Sequence, residues 1–253
     1  MSINKKGEII VAVDVPTFEE ASKIVDSLVD KIDIFKIGSQ LFTACGPFII
    51  RYVAAKGKKI FLDLKFHDIP NTVANAVTAS VNLNKAVFDL ASEDDKRIEI
   101  SPDAGIFMLT VHTLGGEEML KRAVEAAESQ AKELGVLRPK IVGITVLTSD
   151  VKTENVAQIV LERATLAKKC GLDGVVASSC EAAMIRKELG EDFIIITPGI
   201  RPSGADAGDQ KRVTTPSEAI KNGSNFLVIG RPIVKADDLA VAAENILKEI
   251  NNL

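Results

Sequence analysis

The chain has 253 residues, 46% of them hydrophobic and 26% charged, which suits a globular protein with a full core and excludes a disordered chain. Its 31 basic and 35 acidic residues are interleaved and sum to a formal net charge of -4, so no basic field points to nucleic acid or to an anionic membrane. The 3 cysteines, Cys45, Cys170 and Cys180, are odd in number and lack a C-x-x-C pair, which indicates neither a disulfide framework nor a zinc site.

From the N-terminus, the apolar run Ile9 to Val13 is stopped by Asp14. It is too short for a signal peptide or a membrane span, and a cytoplasmic protein is expected. Seven further β-branched apolar runs follow: Ile32 to Ile37, Lys59 to Leu64, Phe107 to Val111, Lys140 to Val146, Gly174 to Ala177, Phe193 to Thr197 and Phe226 to Ile229. Helical patterns such as Phe18 to Val29 and Gly116 to Leu134 separate them, the signature of parallel strands joined by crossover helices. Eight such units in this length predict an α/β fold, a single (β/α)8 TIM barrel occupying residues 1–253, with no Pro-, Ser- or Gly-rich linker to divide it. A doubly wound open sheet is disfavoured, because no G-x-G-x-x-G follows the first strand.

Active sites of such barrels gather where strands end, and polar residues stand there. Asp14 closes the first strand, Lys36 the second, Asp63 and Lys65 the third, His112 the fourth, Thr145 and Thr148 the fifth, Ser178 the sixth, Thr197 the seventh and Arg231 the eighth. The stretch DLKFHDIPNT, from Asp63 to Thr72, is the densest. Two-residue spacing puts Asp63 and Lys65 on one strand face, and Ile60, Phe61, Leu62 and Leu64 argue burial on both faces, where unpaired charge is costly. A surface ion pair is the plainer reading of D-x-K, and the apolar flanks weaken it. Lys36, between Phe35 and Ile37, must find anions or lose its charge, and in a closed barrel it lies beside Asp63 and Lys65. Asp68 brings that set to neutrality.

Near the C-terminus, Gly230 and Arg231 end the last strand, where barrels commonly build phosphate sites from backbone N–H groups and a helix N-terminus. The Gly- and Pro-rich loop after the seventh strand carries Arg201 and Gln210, as a lid over a ligand does. His67 and His112 lack a second ligand at metal spacing and are read as hydrogen-bonding support.

These stretches together resemble the orotidine 5'-phosphate decarboxylases of bacterial type, over nearly the whole chain. The resemblance rests on VAVD at Asp14, FKIG at Lys36, DLKFHDIPNT, VH followed by Gly115 and Gly116, VLTS at Thr148, TPGIRP at Arg201, Gln210, and IGRPI at Arg231. It implies decarboxylation of orotidine 5'-phosphate to uridine 5'-phosphate in pyrimidine biosynthesis, with no cofactor and no metal. Lys65 would be the proton donor within a charged array of Lys36, Asp63, Lys65 and Asp68. Asp14 would bind ribose hydroxyls, Thr148 would lie near the pyrimidine, and Arg201, Gln210, Gly230 and Arg231 would hold the ligand, chiefly its phosphate. The resemblance further implies a homodimer in which Asp68 and Thr72 reach into the partner's site.

One departure is an extra segment at about residues 83–103, including the charged run SEDDKR, expected as a surface excursion or a short helix away from the charged array. Two rival functions are a Mg2+-dependent sugar-phosphate decarboxylase of the same superfamily and a non-catalytic phosphate-binding barrel. Survival of activity in EDTA separates the first, and a broken charged array would mark the second.

Overall fold

The computed structural model describes residues 7–93, 104–147, 155–202 and 213–252, those of 86–93 by backbone alone. In the first half, β1 (Glu8–Ala12), α1 (Phe18–Leu28), β2 (Ile34–Gly38), α2 (Ser39–Cys45), α3 (Pro47–Ala55), β3 (Lys59–Phe66), α4 (Pro70–Glu93) and β4 (Gly105–His112) follow in order. A 3-10 turn at Thr113–Gly115 leads into α5 (Gly116–Leu134), β5 (Lys140–Ile144), α6 (Val156–Lys169), β6 (Gly174–Val176) and α7 (Ser179–Leu189). The chain continues through β7 (Ile194–Thr197), α8 (Pro216–Lys221), β8 (Phe226–Ile229), α9 (Arg231–Val234) and α10 (Leu239–Asn251). The eight strands are parallel neighbours in sequence order, and β8 pairs back on β1 to close the expected (β/α)8 barrel. Among the described residues no helix is long and apolar enough to cross a membrane.

Strand periodicity sorts the core into two shells. Ile9, Val11, Phe35, Ile37, Ile60 and Leu62 face outward and pack under the helices. Ile10, Ile34, Phe61, Met108, Val142 and Phe226 face inward and fill the barrel stem. Full burial of one such side chain contributes roughly 1.5–3 kcal/mol, so the stem is a packed plug rather than a channel. One step further along, the same inward parity puts Lys36 after Ile34, Asp63 after Phe61 and Thr110 after Met108. The stem is therefore apolar and the layer above it is polar, on the same strands.

The segment beginning at Leu83 starts as helix, since α4 continues unbroken to Glu93. Asn84 is buried; its side chain donates to the Ile106 carbonyl at 3.1 Å and accepts from the Ile106 N–H at 2.7 Å. The buried backbone at the start of β4 thereby gains both partners it needs. Gly105 has φ 103, and a Cβ there would stand 2.6 Å from Asn84 Oδ1, so glycine is required on both counts. Residues 94–103, with most of the charged run, lie outside the described residues.

Candidate active site

At the C-terminal mouth the register puts Gly38 beside Asp63 and Lys36 beside Phe61. Lys36 Nζ lies 2.7 Å from Asp14 Oδ1 and 3.7 Å from Asp63 Oδ2, and Lys65 Nζ lies 2.7 Å from the same Asp63 Oδ2. Asp14, Lys36, Asp63 and Lys65 thus form one chain of alternating charge. Its centre is dry and its ends are wet: the side chains of Lys36 and Asp63 are 10% and 11% exposed, those of Asp14 and Lys65 54% and 38%. Breaking a buried pair by removing one partner strands a charge and costs about 3–5 kcal/mol, so each central residue holds the other in place.

Simple two-residue alternation does not bring Lys65 there. Between Leu62, paired with Leu109, and Phe66, paired with Val111, β3 advances four residues while β4 advances two. The surplus is a bulge, and Lys65 within it has φ 52. A left-handed conformation costs a residue with a Cβ roughly 1–2 kcal/mol, so the surroundings must hold it. Thr110, the β4 residue opposite the bulge, accepts the Lys65 N–H at 2.8 Å and donates its hydroxyl to Asp63 Oδ1 at 3.1 Å.

The array lines a cavity of about 490 Å³. Ile144, Val146, Leu147 and Pro198 contribute apolar lining, and Arg201, Arg231 and Lys235 contribute cationic lining beside Gly230. Arg201 is buried and donates to the Ile200 carbonyl at 2.8 Å, while Arg231 opens the four-residue α9 directly after Gly230. The apolar lining suits a flat, weakly polar ring and the cationic lining an anion.

Other strand-end residues serve the scaffold. Thr145 donates to the Val176 carbonyl at 2.8 Å, Thr197 and Ser224 share a hydrogen bond of 2.6 Å, and Ser178 caps α7 by accepting from the Cys180 N–H. His112 Nδ1 accepts from the Leu114 N–H at 3.3 Å, and its ring stacks on His67 at 5.3 Å. Burial, then the nearby His67, Arg163 and Lys65, hold the His112 imidazole below its ordinary pKa, which favours its neutral form. Among the described residues no group of three or more His, Cys, Asp or Glu is placed to hold a metal ion.

Residues 7–246 match the model of the orotidine 5'-phosphate decarboxylase / HUMPS family. The chain belongs to this family. An orotidine 5'-phosphate decarboxylase of Geobacter metallireducens is 44% identical over 251 residues, covering 96% of this chain and 95% of that protein. One of Moorella thermoacetica is 43% identical, covering 98% and 94%. The crystal structure of orotidine 5'-phosphate decarboxylase from Lactobacillus acidophilus superposes with a TM-score of 0.77 at 35% identity, covering 97% of this chain and 99% of that one.

Of the residues the sequence nominates, the family fold brings Asp14, Lys36, Asp63, Lys65, Arg201, Gly230 and Arg231 around one cavity. Asp68 and Thr72 are exposed and do not line it; among the described residues Asp68 Oδ1 accepts from the N–H of its neighbour Ile69 at 2.7 Å. Thr148 and Gln210 lie outside the described residues. Three contributors went unnamed in the sequence reading: Thr110, Lys235 and Gly38, whose missing Cβ leaves room for Lys36 and Asp14. Inward parity along FMLTVH was the signal available for Thr110.

Proposed function

We propose that this protein decarboxylates orotidine 5'-phosphate to uridine 5'-phosphate, with Lys65 as the proton donor and without a cofactor. The observation that carries the proposal is the alternating chain Asp14, Lys36, Asp63, Lys65 lining a cavity that Arg201, Arg231 and Lys235 also line. The family supplies the reaction class, and the charges suit its chemistry. When the C6–carboxylate bond breaks, CO2 leaves and the electron pair stays on a ring carbon with little delocalisation. An ammonium fixed beside that carbon stabilises the pair and then donates a proton to it, leaving a neutral amine that recovers its proton from solvent. Asp63, pinned between two ammonium groups and Thr110, supports a charged Lys65 and crowds the substrate carboxylate.

In this reading Asp14 takes the ribose hydroxyls, and Arg201, Gly230, Arg231, Gln210 and Thr148 hold the phosphate end and the pyrimidine. Binding energy at the phosphate, remote from the reacting carbon, orients the ring over Lys65. The reading includes a cytoplasmic homodimer, the whole chain forming one barrel domain, in which Asp68 and Thr72 complete the partner's site. Two facts support the exchange: both residues stand outside their own cavity, and Ile69, next to Asp68, is 66% exposed.

The test is to add orotidine 5'-phosphate to purified protein and follow loss of the orotate absorbance, with and without EDTA. Turnover insensitive to EDTA is expected. No loss of absorbance with the fold intact overturns the proposal, and turnover that EDTA abolishes overturns its cofactor-free part.

A further inference from the structure

We infer that Thr110 is a positioning residue for the charged array, holding the strained Lys65 backbone and the Asp63 carboxylate with one hydroxyl. The inference rests on the proposed function for its catalytic consequence, but its geometry stands apart from any substrate.

Thr110 is fully buried on β4, between Leu109, which pairs with Leu62, and Val111, which pairs with Phe66. It is thus the single β4 residue opposite the surplus segment of β3. An amide N–H can only donate and a carboxylate can only accept. With Lys65 N at 2.8 Å and Asp63 Oδ1 at 3.1 Å, the hydroxyl must accept from the first and give its one proton to the second. Among the described residues no other side chain bonds to Lys65 N or to Asp63 Oδ1, and each hydrogen bond fixes a different element of the site.

The bond to Lys65 N anchors a residue whose φ of 52 is unfavourable for anything but glycine. Without it, the bulge loses a side-chain partner for a partly buried amide and has a reason to relax. The bond to Oδ1 fixes the carboxylate plane, so that the other oxygen, Oδ2, faces Lys65 at 2.7 Å and Lys36 at 3.7 Å. The hydroxyl touches neither ammonium group; it acts through Asp63 and through the backbone. Threonine suits the position because a β-branched residue favours a strand while its oxygen meets both polar atoms.

The variants are Thr110→Val, which keeps the shape and removes the hydroxyl, and Thr110→Ser, which keeps the hydroxyl. Turnover of orotidine 5'-phosphate should fall about 30-fold in kcat for Thr110→Val, with KM within about threefold, because losing hydrogen bonds to a charged group has effects of this order. Thr110→Ser should recover kcat to within about threefold of wild type. If Thr110→Val fails to fold, Thr110→Cys, similar in size with a far weaker donor, carries the same expectation.

A second readout needs no substrate: the rate of reductive methylation of Lys65, followed by peptide mass spectrometry with Lys121 as the exposed reference. It should change by more than about threefold in Thr110→Val, and Thr110→Ser should restore it. If wild-type protein does not turn over orotidine 5'-phosphate, the proposed function fails, and the methylation rates alone decide the role of Thr110. An unchanged Lys65 rate in a folded Thr110→Val protein, or a Thr110→Ser protein as impaired as Thr110→Val, overturns the inference.

Discussion

Replacing Gly38 with alanine would place a methyl group 3.0 Å from Lys36 Nζ and 3.1 Å from Asp14 Oδ1. Ordinary contact lies at 3.4–4 Å, so one or both groups must move by a few tenths of an ångström. Both are ends of flexible chains, and the ion pair between them is 2.7 Å long, so it is this pair that gives way rather than the strand. The backbone offers no resistance of its own: Gly38 has φ -96 and ψ 180, extended geometry open to alanine. Folding stability should therefore change by less than about 1 kcal/mol, since alanine also lowers the entropy of the unfolded chain. Catalysis should suffer more. A displacement of about 1 Å in a reacting site can cost about 100-fold, so half that predicts a fall in kcat of about tenfold, or about 1.4 kcal/mol of barrier. Steady-state decarboxylation and thermal unfolding by circular dichroism measure the two effects separately. A kcat within twofold of wild type would show that the Asp14–Lys36 contact does not govern the array.

Arg231→Ala should weaken binding of orotidine 5'-phosphate far more than that of unphosphorylated orotidine; equal losses in kcat/KM would place the anion site elsewhere. Mixing inactive Asp68→Ala with inactive Lys65→Ala protein should restore up to roughly a quarter of wild-type sites, because random exchange makes about half the dimers hybrid and each hybrid has one intact pocket. No recovery after demonstrated subunit exchange would assign Asp68 to its own subunit's pocket. His112 is held below its ordinary pKa chiefly by burial, so on acidification the unfolded chain protonates it first and stability is lost as pH falls through about 6.5. His112→Gln should flatten that acid limb of Tm against pH, and an unaltered slope would mean that His112 titrates normally in the folded protein.

The barrel was legible because eight apolar runs alternate with helical patterns, and the site was legible because charge breaks those runs at their C-terminal ends. Lys36 could be placed beside Asp63 from strand order alone. The bulge could not: nothing in LDLKF distinguishes a regular strand from one that takes a left-handed turn at Lys65, since the partner enforcing it is 45 residues away. Thr110 reads locally as an ordinary β-branched strand residue, and only the closed sheet aligns its hydroxyl with two partners. The inward role of Asn84 was not legible, because its partner, the Ile106 backbone, lies 22 residues away in the sequence. Asp68 and Thr72 illustrate the reverse case, where one chain's geometry leaves residues outside the cavity that the family resemblance assigns to a neighbour's.

The most direct measurement is the turnover of Lys65→Ala on orotidine 5'-phosphate, alongside its circular dichroism spectrum. Lys65 is partly exposed at the mouth and its loss opens no core cavity, so the barrel should remain folded. Activity should be abolished, because the substitution removes the only proton donor assigned to the reacting carbon. If a folded Lys65→Ala protein kept even a tenth of wild-type activity, the barrier would have risen by only about 1.4 kcal/mol, far too little for the acid of this reaction, and another group would be delivering the proton.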